Sequence, residues 1–270
     1  MALSARIELQ RGGRIASLRS SSGDEWLWHH LAARHRDGLG PSPSFVDIGG
    51  VDECIPTISG TPDHGAVWSR AWEGSAENAT VTTEEFELQR QITFGDALVL
   101  DYRLLAEPGY EFVWAWHALI EPEPGLELCA PAGHTVRAWP AHDGEAVTTR
   151  WPAVLGRQGF DVLAREDDGT ALFCLLPGLG EFAVRGRRGG LSWSLDGEGQ
   201  PVAMGIWRNL GGFPSVPGTA RYRSLGIEPM LGHVHNVAKA RPGERARVPA
   251  SGVLAWRLIV REIHGSSPHR

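Results

Sequence analysis

Ala171-Leu-Phe-Cys-Leu-Leu-Pro-Gly-Leu-Gly-Glu-Phe-Ala-Val-Arg-Gly-Arg-Arg-Gly-Gly-Leu-Ser-Trp-Ser-Leu-Asp-Gly197 is three short runs divided by turns. Ala171–Leu176 is continuously apolar. Glu181–Arg185 is a short apolar run between two charges, and Leu191–Leu195 alternates apolar and polar residues, the two-residue period of a strand with one buried face. Arg188-Gly-Gly190 and Asp196-Gly197 supply the left-handed backbone that tight hairpins need. The Gly-rich stretch Gly178-Leu-Gly180 leads into a strand and not into a helix, so a phosphate-binding strand–turn–helix is disfavoured.

The same grammar extends outward in both directions. Arg6–Gln10 alternates, and Arg14–Leu18 returns after a Gly-Gly turn. Thr80–Gln91 alternates Thr and Glu with Val, Phe and Leu, and Leu98–Leu105 completes a hairpin after Gly95-Asp96. Phe112–Ile120, Leu126–Ala130, Phe160–Ala164, Val202–Trp207 and Val253–Val260 continue the series. Helical periodicity is scarce; Trp26–Arg36 is the best candidate and closes on the loop Asp37-Gly-Leu-Gly-Pro41. Many short strands joined by hairpins predict an all-β antiparallel sandwich with few short helices. With no internal repeat and no shift of composition along the 270 residues, one domain over 1–270 is expected, with about 1–10 and 264–270 peripheral.

Composition narrows the function. A net charge of −6 argues against a phosphate-backbone binder, so no nucleic acid partner is expected. No apolar run approaches the ~20 residues that span a bilayer, and Met1–Gly13 has no signal-peptide core, which together predict a cytoplasmic protein with no membrane partner. Cys54, Cys129 and Cys174 are odd in number and widely spaced, giving neither a disulfide framework nor a cysteine zinc site. Cys54 reads as packing and not as a nucleophile, since no basic group adjoins it. Eleven tryptophans against three tyrosines suit a surface that stacks on the C–H face of a sugar, although most single tryptophans fill a core. A small-molecule carbohydrate is one partner such a surface would suit, and a homodimer is left open.

Three segments carry candidate chemistry. Tyr222-Arg-Ser-Leu-Gly-Ile-Glu-Pro-Met230 holds Glu228 at the end of an apolar run, directly before Pro229, which should end the ladder because it has no N–H. Apolar walls raise a carboxyl pKa toward the range of a general base or acid. Asp63-His64-Gly65 offers a histidine at a sharp turn. In Phe112-Val-Trp-Ala-Trp-His117, alternation puts Val113, Ala115 and His117 on one face and Phe112, Trp114 and Trp116 on the other. A core histidine bonded to a carbonyl is an equal alternative for His64 or His117 taken singly. His233 and His235 could share a metal with Glu228; no carboxylate follows them at cupin spacing, so a metal is not the expected reading, and that three-residue set stays open. Glu228 with Asp52 or Glu53 could form a glycosidase pair, and Glu53 could equally be a salt-bridged structural residue. No Gly-x-Ser-x-Gly elbow supports a serine hydrolase.

The order of these motifs resembles the galactose mutarotase-like superfamily, the aldose 1-epimerases and hexose-phosphate epimerases. Arg11-Gly-Gly-Arg-Ile-Ala-Ser-Leu18 with Glu25-Trp-Leu-Trp28 is similar to the family's first hairpin. Gly49-Gly-Val-Asp-Glu-Cys-Ile-Pro56 resembles the segment before its first histidine, and Asp63-His-Gly-Ala-Val-Trp68 its His-Gly motif. His117 falls at the second histidine and Ile227-Glu-Pro-Met230 at the catalytic glutamate. The resemblance implies a large β-sandwich with a sugar cleft on one sheet and an isomerase of the aldose 1-epimerase type that needs no cofactor. By similarity, Glu228 takes the proton of the anomeric hydroxyl, His117 gives one to the ring oxygen, and His64 hydrogen-bonds the sugar and stabilises charge near that oxygen. Asp52, Glu53, Arg70, Trp68, Trp116, Trp207 and Arg208 are the candidate substrate-binding residues. The chain departs from the family pattern around them: Asp52 and Glu53 replace an arginine before the first histidine, Trp68 holds the place of the arginine in His-Gly-x-x-Arg, and the second histidine lies in Trp-His-Ala-Leu. Arg70 and Arg208 would meet an anionic or phosphorylated sugar. Two other readings remain: elimination or deglycosylation in the same cleft, and a non-catalytic carbohydrate-binding protein.

Overall fold

A computed structural model describes residues 3–30, 45, 47–139, 145–152, 154–155, 158–214 and 221–263. Its strands in chain order are β1 (Ser4–Glu8), β2 (Arg14–Arg19), β3 (Gly50–Cys54), β4 (Glu73–Gly74), β5 (Asn78–Thr82), β6 (Phe86–Phe94) and β7 (Leu98–Ala106). There follow β8 (Glu111–Phe112), β9 (Trp114–Ile120), β10 (Glu127–Cys129), β11 (Thr135–Trp139), β12 (Val147–Arg150), β13 (Val154–Leu155) and β14 (Gln158–Gly159). The last seven are β15 (Thr170–Pro177), β16 (Glu181–Gly186), β17 (Gly189–Asp196), β18 (Val202–Pro214), β19 (Arg221–Leu231), β20 (Ala246–Arg247) and β21 (Val253–Ile263).

Two large sheets form an antiparallel sandwich. The nine-stranded sheet has the order β1-β2-β3-β9-β19-β18-β15-β11-β12, and the eight-stranded one β10-β16-β17-β21-β7-β6-β5-β4. The stretch Ala171–Gly197 becomes β15, β16 and β17, with β15 in one sheet and the β16–β17 hairpin in the other. Phe112, Trp114 and Trp116 lie in the cluster between the sheets, while Val113 and Ala115 join a smaller cluster on the outer face of the nine-stranded sheet. Trp256 stacks on Tyr102 at 5.1 Å and meets Trp114 edge-on at 5.2 Å, so aromatic rings from both sheets interlock. Within this apolar layer Glu53 accepts from Arg90 Nη1 at 3.0 Å, Tyr102 Oη at 2.7 Å and Trp114 Nε1 at 2.8 Å, a polar stitch between the sheets.

Several elements differ from the sequence expectation. Thr80–Gln91 is not one strand but the β5–β6 hairpin. The Thr83 hydroxyl accepts the N–H groups of Glu85 and Phe86 and donates to the Phe86 carbonyl, turning the chain without glycine. The described part of the expected helix, 26–30, is extended; Leu27 bridges Ile120 and His29 bridges Gly49, so sheet backbone satisfies it. Residues 31–36 lie outside the described residues. Phe160–Ala164 makes a single bridge, Val162 to Glu127. β19 does not stop at Pro229 but runs to Leu231, since Pro229 still pairs with Met204; only its ladder to β9 skips Glu228 and Pro229. Among the described residues, no helix is long and apolar enough to cross a membrane.

Candidate functional site

Cross-strand register builds the site. Asp52 on β3 pairs with His117 on β9, and Glu228 on β19 pairs with Gly205 on β18. The pairs flanking the interruption, Ile227 with Ala118 and Met230 with Ala115, put Glu228 opposite His117. Gly205, Glu228, His117 and Asp52 therefore form one row across four strands, on the outer face. Glycine leaves room beside the carboxylate: a Cβ on Gly205 would stand 3.1 Å from Glu228 Cβ and from Phe173 Cζ and 3.0 Å from Met230 Sδ, tighter than side chains normally pack.

Glu228 and His117 open onto a cavity of about 300 Å³. Glu228 is 1% exposed, and its Oε1 lies 3.7 Å from His117 Nε2, beyond a hydrogen bond. Its Oε2 is buried without a hydrogen-bond partner among the described residues. Burial raises the Glu228 pKa above its ordinary value, and the nearby His117 offsets this only in part. A buried carboxylate oxygen without a partner is costly unless a ligand completes it.

His64 reaches the same cavity from the loop after β3. The loop is pinned at its base, where Ala66 N–H donates to Ile55 O at 2.7 Å, and His64 takes a left-handed φ of 57°. Next to it Gly65 has no alternative, because a Cβ there would fall 2.2 Å from Ile55 O. Asp63 Oδ1 lies 2.8 Å from His64 Nδ1, and Asp63 Oδ2 accepts from Phe45 N–H at 3.1 Å. Burial alone would raise the Asp63 pKa, but the hydrogen bond and charge of His64 and the Phe45 N–H outweigh it and hold it below its usual value. An ionised carboxylate only accepts, so His64 Nδ1 is the donor and Nε2 is left for a ligand. The His64 ring stacks on Phe45 at 3.8 Å and stands edge-on to His117 at 5.0 Å.

Strand alternation divides the remaining candidates. Trp207 faces the cavity, so Arg208 points the other way, into the core. There its guanidinium lies 4.3 Å from the Phe160 ring and Nη1 donates to Gly159 O at 3.2 Å. Trp116 is likewise on the core face, behind His117, and Glu53 behind Asp52. Asp52 shares the face of His117 but is covered and does not line the cavity. Trp68 is fully buried and donates from Nε1 to Asp63 O at 3.0 Å, supporting the loop from behind. Arg70 Nε donates to Ala66 O at 2.9 Å, away from the cleft. Thus neither candidate arginine reaches the cavity, and the expectation that they meet an anionic sugar is corrected by their backbone phase and by the loop's own carbonyls. The glycosidase pair with Glu53 falls for the same reason.

The structure adds residues that the sequence did not single out. Asp47 accepts from Tyr222 Oη at 2.9 Å at one wall of the cavity. Trp139 and Phe173 extend its floor, with His235 edge-on to Trp139 at 4.6 Å. Alternation within β11 or β15 could not have found them, because their approach to Glu228 depends on strand order. His233 Nε2 donates to Val202 O at 2.9 Å, apart from the cavity that His235 lines. Among the described residues no three His, Cys, Asp or Glu side chains converge as a metal site would require. The Cys54 thiol, buried beneath this face, is pushed well above its ordinary pKa by burial and then by the charge of Glu228, in keeping with a packing role.

No protein-family model matches the chain, and no curated protein matches it in sequence. Solved structures match it over nearly its whole length. A candidate aldose 1-epimerase of Escherichia coli K12 superposes with a TM-score of 0.70 at 13% identity, covering 97% of this chain and 96% of that one. A galactose mutarotase-like protein of Lactobacillus casei ATCC 334 gives 0.64 at 13% identity, covering 97% of each chain. A galactose mutarotase related enzyme of Lactobacillus acidophilus gives 0.63 at 12% identity, covering 99% and 96%. The chain has the mutarotase-like sandwich fold.

Proposed function

We propose that the cleft interconverts the anomers of an aldose by opening and reclosing its ring. The observation that carries this reading is Glu228: a fully buried carboxylate whose Oε2 has no partner among the described residues, facing His117 across 3.7 Å at the cavity both residues line. Burial makes Glu228 a stronger base than an exposed carboxylate, since it raises the pKa toward neutrality.

Glu228 accepts the proton of the C1 hydroxyl. The electron pair of that O–H bond becomes the second bond of the C1 carbonyl, the bond from C1 to the ring oxygen breaks, and the ring oxygen takes a proton from His117. Rotation about C1–C2 presents the other carbonyl face. The steps then reverse: the hydroxyl attacks C1, returns its proton to His117, and the new C1 oxygen takes back the proton from Glu228. His64 Nε2, fixed by Asp63, contacts the sugar beside His117, and Trp207 supplies an apolar face for the pyranose. The fold shared with mutarotase-like proteins supports the reading.

The test is polarimetric or NMR mutarotation of a panel of free aldoses and sugar phosphates. Wild type should accelerate at least one over buffer, and Glu228→Gln should lose about 10²- to 10⁴-fold in kcat. No acceleration of any sugar in the panel overturns the proposal.

A further inference from the structure

Asp47 is a carboxylate of the cavity that the proton transfers do not use. It is set in place from two sides. Gly49 N–H donates to its Oδ1 at 2.9 Å, and Tyr222 Oη donates to its Oδ2 at 2.9 Å. The Tyr222 ring stacks on Trp28 at 5.0 Å and stands edge-on to His30 at 5.3 Å, so the donor is itself fixed. Burial, and then the charge of Asp47, push the Tyr222 phenol well above its ordinary pKa, which keeps its proton in place for that bond. Both donors are neutral, so neither cancels the carboxylate charge, and each oxygen has a lone pair left for a ligand.

Its position relative to Glu228 suits one sugar ring. Glu228 leans along β19 toward Tyr222, since a Cβ on Gly226 would stand 3.3 Å from Glu228 Oε1. At the other end Ser224 and Asn209 lie beside the Tyr222 phenol. Gly226 and Ser224 are alternate residues on one face of β19, about 7 Å apart, so the Glu228 carboxylate and the Tyr222–Asp47 pair stand one pyranose apart along the strand. The pair also lies on a definite side. His117 and Leu119 line the cavity from β9. Leu119 pairs with Gly50, its carbonyl accepts from Trp28 N–H at 2.9 Å, and Asp47 lies on the chain that leads into Gly50. With the C1 hydroxyl at Glu228 and the ring oxygen at His117, carbon 5 is on the β9 side, because it is bonded to the ring oxygen. The C6 arm on carbon 5 then runs past Leu119 toward Asp47.

We propose that Asp47 reads the C6 arm of the sugar: it accepts the hydrogen bond of a C6 hydroxyl, and so selects a neutral hexopyranose over its 6-deoxy and 6-phosphate forms. This rests on the ring-opening reading of the cleft. A hydroxyl donates to an ionised carboxylate, whereas the methyl group of a 6-deoxy sugar displaces water from it and returns nothing. A phosphate at C6 brings its own negative charges against one already there.

The experiment measures mutarotation of glucose, galactose and mannose, each with its 6-deoxy and 6-phosphate form. Wild type should prefer at least one hexose to its 6-deoxy form by about tenfold or more in kcat/KM, the scale of a hydrogen bond to a charged group, and to its 6-phosphate by at least as much. Asp47→Ala should bring the ratio of hexose to 6-deoxy sugar to about one; damage to the fold would lower both sugars together and leave the ratio in place. Asp47→Asn keeps an acceptor oxygen without the charge, so it should retain part of that ratio and relax the exclusion of the 6-phosphate. A wild-type ratio near one, a ratio that survives Asp47→Ala, or a preference for the 6-phosphate overturns the role of Asp47 and leaves the ring-opening reading standing. Loss of the ring-opening reading is separate: none of these sugars is then accelerated, and the role of Asp47 falls with it.

Discussion

Replacing Glu53 with alanine should cost about 3–5 kcal/mol, the range for removing one partner of a buried ion pair. The side chains of Glu53 and Arg90 are each 1% exposed, so water cannot take over either charge. Both carboxylate oxygens are used: Oε1 by Arg90 and Tyr102, Oε2 by Trp114. Arg90 keeps its bond to Gly13 O at 2.6 Å and its place 4.7 Å from the Trp72 ring, but its charge loses its carboxylate. Tyr102 Oη and Trp114 Nε1 are stranded with it. Since whole domains are stable by about 5–15 kcal/mol, the loss is a large fraction of the total. Urea unfolding followed by tryptophan fluorescence reads it: at a slope of about 3 kcal/mol/M, the midpoint should fall by about 1–1.7 M. The double change Glu53→Leu with Arg90→Met removes both charges and should recover much of the loss, because a packed apolar pair is often as stable as the ion pair it replaces. A single-variant loss below about 1 kcal/mol, or a double variant worse than the sum of the singles, refutes the view that the cost is an uncompensated buried charge.

Glu228→Gln, with its strongly reduced kcat, should be more heat-stable than wild type at neutral pH. The folded-state pKa of Glu228 is raised, so its favourable contribution is complete below the ordinary carboxylate range and is lost as pH rises through the raised value; a differential scan that shows no gain in Tm counts against it. The acid limb of kcat/KM should have its midpoint above 4.5, the ordinary value for glutamate, because the base must be ionised to act; a limb at or below 4.5 assigns the base to another group. Asp63→Asn should lower kcat at least about tenfold with little change in KM, as His64 loses its fixed tautomer. The same change in a His64→Ala background should do nothing further; additive losses would make Asp63 merely structural.

The strand pattern of this chain was legible because hairpin turns and two-residue alternation are local. Alternation also sorted Trp114 and Trp116 from Val113, Ala115 and His117 before any fold was known, and the structure keeps that division. The hairpin at Thr83 was hidden because its turn uses a threonine hydroxyl in place of glycine. Within the described residues 26–30 the helix expectation misled, because Leu27 and His29 are satisfied by neighbouring backbone.

Among the candidate site residues the lesson is sharper. Asp52 and Glu53, Trp116 and His117, and Trp207 and Arg208 are three adjacent pairs on strands, and adjacent strand residues point to opposite faces. Each pair can give one member to the outer face. The sequence by itself determined the sandwich class and the polar residues set among apolar ones, and it left both members of each pair as candidates. Only the tertiary structure decided which face is the cleft, because that depends on which side the eight-stranded sheet covers. The placement of Glu228 opposite His117, and of Phe173 and Trp139 in line beyond Trp207, was also beyond the sequence. Those neighbours are set by strand order and register across the sheet, between residues tens of positions apart in the chain.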